Sequence, residues 1–308
     1  MSSLQKLRET IGTVYRGNAE AIDLVLIAIL SRGHVLIEDV PGVGKTTLAR
    51  AVGKALDLNF TRIQFTSDTL PADVLGVSIF NAAENRFVFH PGPIFGNVVL
   101  ADEINRATPK TQSALLQAMN EGRVSTDDGT LELSQPFMVI ATQNPVEYLG
   151  TYPLPESQLD RFFLRLSLGY PPAREEKELL QRGGAERTLE GIRPVLSPGD
   201  LLALQAEVEN VRISEKLLDY TYALIEATRR RSDLRLPVST RGAQAFYRAL
   251  QARALVAGRA FALPEDAQAV AEPVLSHRIL SISSDGFGTG PREREVIRAI
   301  LRETPVPV

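Results

Sequence analysis

Val35 to Val52 reads VLIEDVPGVGKTTLARAV. An apolar run enters a glycine-rich turn, and a helical pattern leaves it. Strand, glycine turn and helix are the context that a phosphate-binding loop requires. The usual pattern is G-x-x-x-x-G-K-[ST]. Here Gly44, Lys45 and Thr46 close it, but Asp39 stands where the first glycine belongs. Such a loop holds an anion because backbone N–H groups and a helix N-terminus converge on it. The expected contacts run from Pro41 through Gly42, Val43, Gly44, Lys45 and Thr46 to Thr47. Gly42 and Gly44 keep side chains away, Lys45 reaches the β- and γ-phosphates, and Thr46 offers a hydroxyl to Mg²⁺. A carboxylate at Asp39 facing the phosphates would repel them. We therefore expect it to turn away and bond local backbone, as Asp does in turns.

Two further apolar runs end in polar residues. Asn97–Glu103 is NVVLADE, and Phe137–Asn144 is FMVIATQN. Both read as central parallel strands whose C-terminal ends carry chemistry. Between them TPKTQSALLQAMNEG is helical, with Thr108 as cap and Gly122 as stop. Alternating strands and helices predict a doubly wound α/β sheet. Adjacent acids at the end of a buried strand are costly without a partner. Asp102 as a magnesium ligand and Glu103 as a base for water account for both. Asn144 can orient that water, or it is a turn former before Pro145. Arg161 is either a salt-bridged core residue, with Asp160 as its neighbour, or a finger that stabilises transition-state charge in another subunit. Arg241 opens a helix further on; it is a surface residue or closes a lid over the γ-phosphate.

Two segments read as hairpins added to the core. SIFNAAENRFVFHPG has two strand-like arms, and RVSTDDGTLELS turns at Asp128-Gly129. Gly, Pro and charge cluster in Gln181–Asp200, which marks a linker. The organisation that follows is an α/β core over 1–185 and a helical lid over 195–308. The run Arg229–Arg231 ends a predicted lid helix and suits its C-terminus better than a nucleic acid.

At 308 residues, the chain has room for one large domain or two ordinary ones. With 44% hydrophobic and 23% charged residues, wholesale disorder is excluded. A net charge of −3 and a pI of about 5.8 disfavour a general nucleic-acid surface. The chain has no cysteine, so disulfides and thiolate chemistry are ruled out. Its histidines, His34, His90 and His277, are too scattered for a zinc site. LVLIAILSRG is too short to span a bilayer, and MSSLQKLRET is no secretory signal. A cytoplasmic protein with no membrane insertion is expected.

DVPGVGKT, LADEINRATPKTQSALLQAMNEGRV, FMVIATQNPVEYLGTYPLPESQLDRF and STRGA follow one another in the chain. Together they resemble the MoxR family of AAA+ ATPases, over most of the sequence from about Tyr15. The resemblance implies that Lys45 and Thr46 are Walker A residues and that Asp102 and Glu103 are Walker B. It also implies Asn144 as sensor 1, Arg161 as arginine finger and Arg241 as sensor 2. The hairpins fall at the helix-2 insert and the pre-sensor-1 hairpin, and VYRGNAEAI resembles the segment that packs on adenine. ATP and Mg²⁺, a homo-oligomeric and hexameric ring, a protein client and a partner bearing a von Willebrand factor A domain are implied in turn. Two other readings are a nucleic-acid motor, disfavoured by the acidic pI, and a chelatase subunit acting on a tetrapyrrole. No N-K-x-D motif supports a GTPase.

Overall fold

Buried apolar runs become a five-stranded parallel sheet at the centre of the molecule. The computed structural model describes residues 2–126, 129–145, 150–182, 186–282 and 290–307. The strands ahead of the second half are β1 (Val35–Glu38), β2 (Phe60–Gln64), β3 (Gly76–Asn81), β4 (Arg86–Pro91), β5 (Val98–Asp102), β6 (Arg123–Thr126), β7 (Gly129–Glu132), β8 (Met138–Gln143) and β9 (Leu164–Leu166). The sheet order is β2-β5-β8-β1-β9. Register runs Val35↔Ile140 between β1 and β8, Val35↔Leu164 between β1 and β9, and Ala101↔Ala141 between β5 and β8. Strands β1, β5 and β8 are the three runs read from the sequence. Every residue of Val98–Ala101 and Met138–Ala141 is fully buried, as a sheet covered on both faces demands.

Helices of the first half are α1 (Ser3–Val14), α2 (Ala19–Leu30), α3 (Lys45–Ala55), α4 (Pro71–Leu75), α5 (Pro109–Glu121) and α6 (Glu156–Leu159). Thr108 caps α5 by accepting from the Thr111 N–H, and Gly122 ends it in the left-handed region at φ 64°. Both ends match the sequence reading. Then come α7 (Ala173–Arg182), α8 (Glu186–Glu190), α9 (Pro198–Val208), α10 (Glu215–Arg230), α11 (Thr240–Val256), α12 (Pro264–Leu275) and α13 (Pro291–Glu303). The helical lid also carries a short ribbon, Leu234–Leu236 against Leu280–Ser281. Its helices α9 and α11 pack on α2, and α12 packs against β9. Among the lid arginines, Arg229 donates to the Val238 carbonyl, while Arg230 and Arg231 pair with Glu226 and Asp233.

Both hairpins form. Strand β3 pairs with β4, and β6 with β7. Asp128, half of the expected turn, lies outside the described residues, as does part of the linker. On β3–β4 the apolar side chains point outward. Ile79, Phe80 and Phe87 are 51%, 51% and 56% exposed, and the two phenyl rings meet edge to face at 5.4 Å.

His34, just before β1, ties three elements together. Its Nε2 lies 3.0 Å from the Met119 carbonyl at the end of α5, and its Nδ1 accepts the Val139 N–H at 3.0 Å. This pairing requires the neutral ring with the proton on Nε2. Burial lowers its pKa from 6.5 to about 4, helped by the charge of Arg241 and opposed by the Met119 bond. The folded value lies below the unfolded one. Between these values the unfolded chain takes up a proton that the folded chain refuses, so stability is lost as pH falls below 6.5. We expect His34 alone to remove about 2 kcal/mol between pH 6.5 and 5. Urea midpoints measured across that range check this. His34→Gln should be less stable at pH 7 and should show a flatter pH slope. An unchanged slope would refute the account.

Candidate active site

All five strands run parallel, so each has its C-terminal end on the same edge of the sheet. The glycine loop leaves β1 on that edge. Asp102 and Glu103 end β5 there, and Asn144 follows β8. Gly42 and Gly44 adopt φ 86° and 91°, which glycine alone takes up at little cost. Gly44 is the N-cap of α3 and supplies no side-chain cap. The first N–H groups of α3 therefore stay available to an anion. Tyr15 lies against this turn: a ring carbon sits 3.5 Å from where a Cβ on Gly44 would be. Its hydroxyl is pushed up to about 12 by burial first and then by the Asp39 charge.

Asp39 turns out of the loop. Its Oδ1 accepts the Val40 N–H at 2.9 Å, which is the local bond expected. Its Oδ2 goes elsewhere, to Ser167 Oγ at 2.8 Å and to the N–H groups of Leu168 and Gly169 at 2.7 Å each. The local bond is present, and the segment after β9 supplies the remaining partners, which the sequence did not reveal. Burial works against the Asp39 charge, but the bonds from Gly169, Ser167, Val40 and Leu168 outweigh it and leave its pKa below the usual value. Lys45 Nζ donates to the Asp39 carbonyl oxygen, so the same residue orients the lysine through its backbone. Burial lowers the Lys45 pKa, and the charges of Asp39, Asp102 and Glu103 oppose that change. The ammonium thus lies within electrostatic reach of both acids.

The acids are fixed by residues that the sequence did not single out. Thr142 on β8 donates from Oγ1 to Asp102 Oδ1 at 2.6 Å and accepts the Glu103 N–H at 2.9 Å. Arg62 on β2 reaches Asp102 Oδ2 at 2.7 Å. Glu103 leaves the strand in the left-handed region, at φ 58° and ψ 47°. A non-glycine residue there is strained, and such strain gathers at functional sites. Its Oε2 accepts from Gln64 Nε2 and Arg106 Nη1, each at 3.0 Å. Beneath the loop, Arg165 of β9 and Gln143 of β8 both bond the Glu38 carboxylate, the arginine at 2.9 Å. Strand-end positions facing the loop were the available signal for Thr142, Gln64 and Arg62, since register alone brings them to the acids.

Asn144 is buried beside the loop, because the Asp39 N–H bonds the Gln143 carbonyl at 3.3 Å. Thr46 and Thr47 sit in the first turn of α3, half-buried. A hydroxyl at Thr46 and a carboxylate at Asp102 on one edge form the oxygen donor set that suits Mg²⁺ held together with phosphate and water. No cluster of three His, Cys, Asp or Glu side chains occurs among the described residues.

Arg161 and Arg241 are elsewhere. Arg161 precedes β9, and Arg241 donates to Asn120 Oδ1 at 2.7 Å at the end of α5. Helix α5 starts near the C-terminal end of β5 and runs back, so Asn120 is on the opposite edge of the sheet. Phe163 confirms the placement, since its N–H bonds the carbonyl of His34 ahead of β1 at 2.8 Å. The two arginines line one cleft of about 580 Å³ with Arg32, His34 and Asn120. Arg161 donates to the Leu116 carbonyl at 3.2 Å. Asp160, its expected partner, instead binds Arg278 and Ser239. Arg241 does not converge with Lys45 in this chain, so closure of its own lid over its own phosphate has no support in this geometry.

Comparison with known proteins agrees with this architecture. Residues 34–164 match the model of the ATPase family associated with various cellular activities (AAA), and residues 226–300 match the AAA lid domain. The chain is 47% identical over 305 residues to the uncharacterized protein YeaC of Bacillus subtilis (strain 168), covering 99% of this chain and 95% of that one. It is 38% identical over 300 residues to Chaperone MoxR1 of Mycobacterium tuberculosis, covering 94% and 79%. The crystal structure of a putative ATPase from Cytophaga hutchinsonii superposes with a TM-score of 0.89 at 37% identity, over 99% of this chain and 95% of the other. A glycine loop that opens α3, two acids at the end of β5 and a helical lid, in a sequence this close to a named MoxR protein over nearly its full length, lead to one assignment: the chain belongs to the MoxR family of AAA+ ATPases and is an ATP hydrolase.

Proposed function

We propose that this ATPase works as a ring of identical subunits, hexameric as the family resemblance implies, that hydrolyses ATP between neighbours and uses the cycle to remodel or mature partner proteins in the cytoplasm. One observation carries the reading. Lys45, Asp102, Glu103 and Asn144 stand on one edge of the sheet, and Arg161 and Arg241 on the other. A head-to-tail interface joins unlike edges of identical subunits, and it closes into a ring when the rotation allows. Each interface would then hold one complete site. Both arginines serve the neighbour in this scheme, Arg241 as well as Arg161.

Within the site, backbone N–H groups from Gly42 to Thr47 and the Lys45 ammonium bind the triphosphate. Thr46 and Asp102 would hold Mg²⁺, which supplies positive charge against the β- and γ-phosphates when bound. Glu103 accepts the proton of the attacking water, and Asn144 orients that water. The segment from Tyr15 to Ile22 lies beside the loop and packs on adenine. The neighbour's Arg161 and Arg241 neutralise charge as the γ-phosphoryl group transfers. Hydrolysis alters the contact between core and lid, and the β3–β4 and β6–β7 hairpins pass the motion to a protein client. The exposed Ile79, Phe80 and Phe87 suit that contact. A protein with a von Willebrand factor A domain is the expected partner, and no nucleic acid is needed. No helix among the described residues is long and apolar enough to cross a membrane.

Light scattering on a Glu103→Gln variant tests the ring. ATP should convert it to an assembly of about six subunits, because bound triphosphate gives the neighbour's arginines their counter-charge. A monomer with and without ATP would overturn the proposal. The same trapped assembly should retain the von Willebrand partner in a pull-down.

A further inference from the structure

Arg278 is buried on a single turn that follows α12, within the seam between core and lid. Its guanidinium is engaged on every nitrogen. Nε donates to Asp160 Oδ1 at 2.8 Å. Nη1 donates to the carbonyls of Phe163, at 3.0 Å, and Val274. Nη2 donates to the Phe162 carbonyl at 2.6 Å and lies 3.4 Å from that of Asp160. The residues it grips, Asp160, Phe162 and Phe163, bracket Arg161.

The other carboxylate oxygen of Asp160 accepts from Ser239 Oγ at 3.3 Å. Ser239 is the N-cap of α11, accepting the Gly242 N–H at 3.0 Å, and Arg241 is the second residue of that helix. Gly242 presses against Arg278: a Cβ placed there would lie 2.8 Å from Arg278 Cδ. One buried arginine therefore touches the core segment that carries Arg161 and the lid helix that carries Arg241.

Two like charges that share a cleft repel each other, so an unbraced pair would spread apart. We infer that Arg278 is a positioning residue which, through Asp160 and the start of α11, sets Arg161 and Arg241 as one preformed two-arginine clamp for the triphosphate of the neighbouring subunit. This rests on the reading that both arginines act across the interface. Arg278 borders the same cleft, but each of its guanidinium nitrogens is already bonded to protein, so its part is to position the other two. Its bonds to three backbone carbonyls fix the path of the chain around Arg161, and its aliphatic stem fixes the seat of α11.

Arg278→Lys keeps the charge but loses the fork that grips Asp160 and the carbonyls together. Gly242→Ala keeps the arginine but displaces its stem, since the new Cβ would lie 2.8 Å from Arg278 Cδ and 3.0 Å from Val238 Cγ1, which gives a second variant should the first fail to fold. Each full-length variant is checked by circular dichroism, by binding of a fluorescent ATP analogue and by steady-state hydrolysis, alone and mixed with Lys45→Ala. We expect wild-type affinity for the analogue, unchanged KM and a kcat lowered by about 10²-fold, the usual cost of a misplacement near 1 Å. Mixing with Lys45→Ala should restore turnover, because that subunit supplies an intact arginine edge. A folded Arg278→Lys or Gly242→Ala with wild-type kcat overturns the inference. So does a loss that Lys45→Ala cannot rescue while it does rescue Arg161→Ala. If Arg161→Ala itself is not rescued, the reading of a shared site falls, and this inference with it.

Discussion

Glu103→Gln is expected to bind ATP and to hydrolyse it about 10²–10⁴-fold more slowly than the parent, the range for removal of a general base. The amide has the size of the carboxylate and keeps a carbonyl oxygen to accept from Gln64 and Arg106. It cannot take a proton from water. The left-handed backbone at Glu103, held by Thr142, should survive the change, because the bond there is made by the main-chain N–H. One negative charge leaves the neighbourhood of Lys45 and the phosphates, so affinity for ATP should hold or rise. Single-turnover hydrolysis separates the chemical step from product release and is the measurement of choice. Turnover close to that of the parent would remove Glu103 from the role of base and leave its strained geometry without an explanation.

Arg161→Ala should cost more, about 10³–10⁵-fold if it matches the loss of an arginine finger in GTPase systems. Its diagnostic value lies in mixing. An Arg161→Ala subunit keeps an intact Lys45 edge, and a Lys45→Ala subunit keeps an intact arginine edge. Neither should turn over alone. In an equal random mixture about a quarter of head-to-tail interfaces pair the two intact edges, so about a quarter of the parent activity should return. Loss of the bond to the Leu116 carbonyl could disturb α5 locally, but a local disturbance would not be cured by a different subunit. Failure to recover activity would show that the arginine works within its own chain or not at all.

Much of the core was legible because parallel strands buried on both faces leave uninterrupted apolar runs. Those of β1, β5 and β8 each end at a polar residue, and those ends carry the candidate site residues. Hairpin arms were legible from alternation. Strand β9 was not, since three residues hold no period, and β2 was hidden because only Ile63 in it is buried. The partners of Asp39 were out of reach for another reason. Ser167 lies far along the chain, and its adjacency to Asp39 is created by the pairing of β9 with β1. Asp160 beside Arg161 suggested an ion pair. Successive residues on a helical turn point in different directions, so Asp160 was open to a distant arginine instead. The edge on which the lid settles is also a tertiary matter. Periodicity marked α11 and α12 as helices but said nothing about which end of the sheet Arg241 would reach.

Strand β9 is only three residues long, yet it spans the sheet from one edge to the other, about 10 Å. Just ahead of it stands Arg161; just after it, Ser167, Leu168 and Gly169 clasp Asp39. It is the last strand of the sheet, paired along its length with β1 and buried at all three residues, which stiffens it along its axis. A displacement at the arginine end would be passed along it to Ser167, Leu168 and Gly169 and, through Asp39, to the glycine loop of the same subunit. In the proposed ring, β9 would act as a short push-rod between one nucleotide and the next. The timing of neighbouring sites would then be set by covalent chain, with no need to wait for the lid to swing.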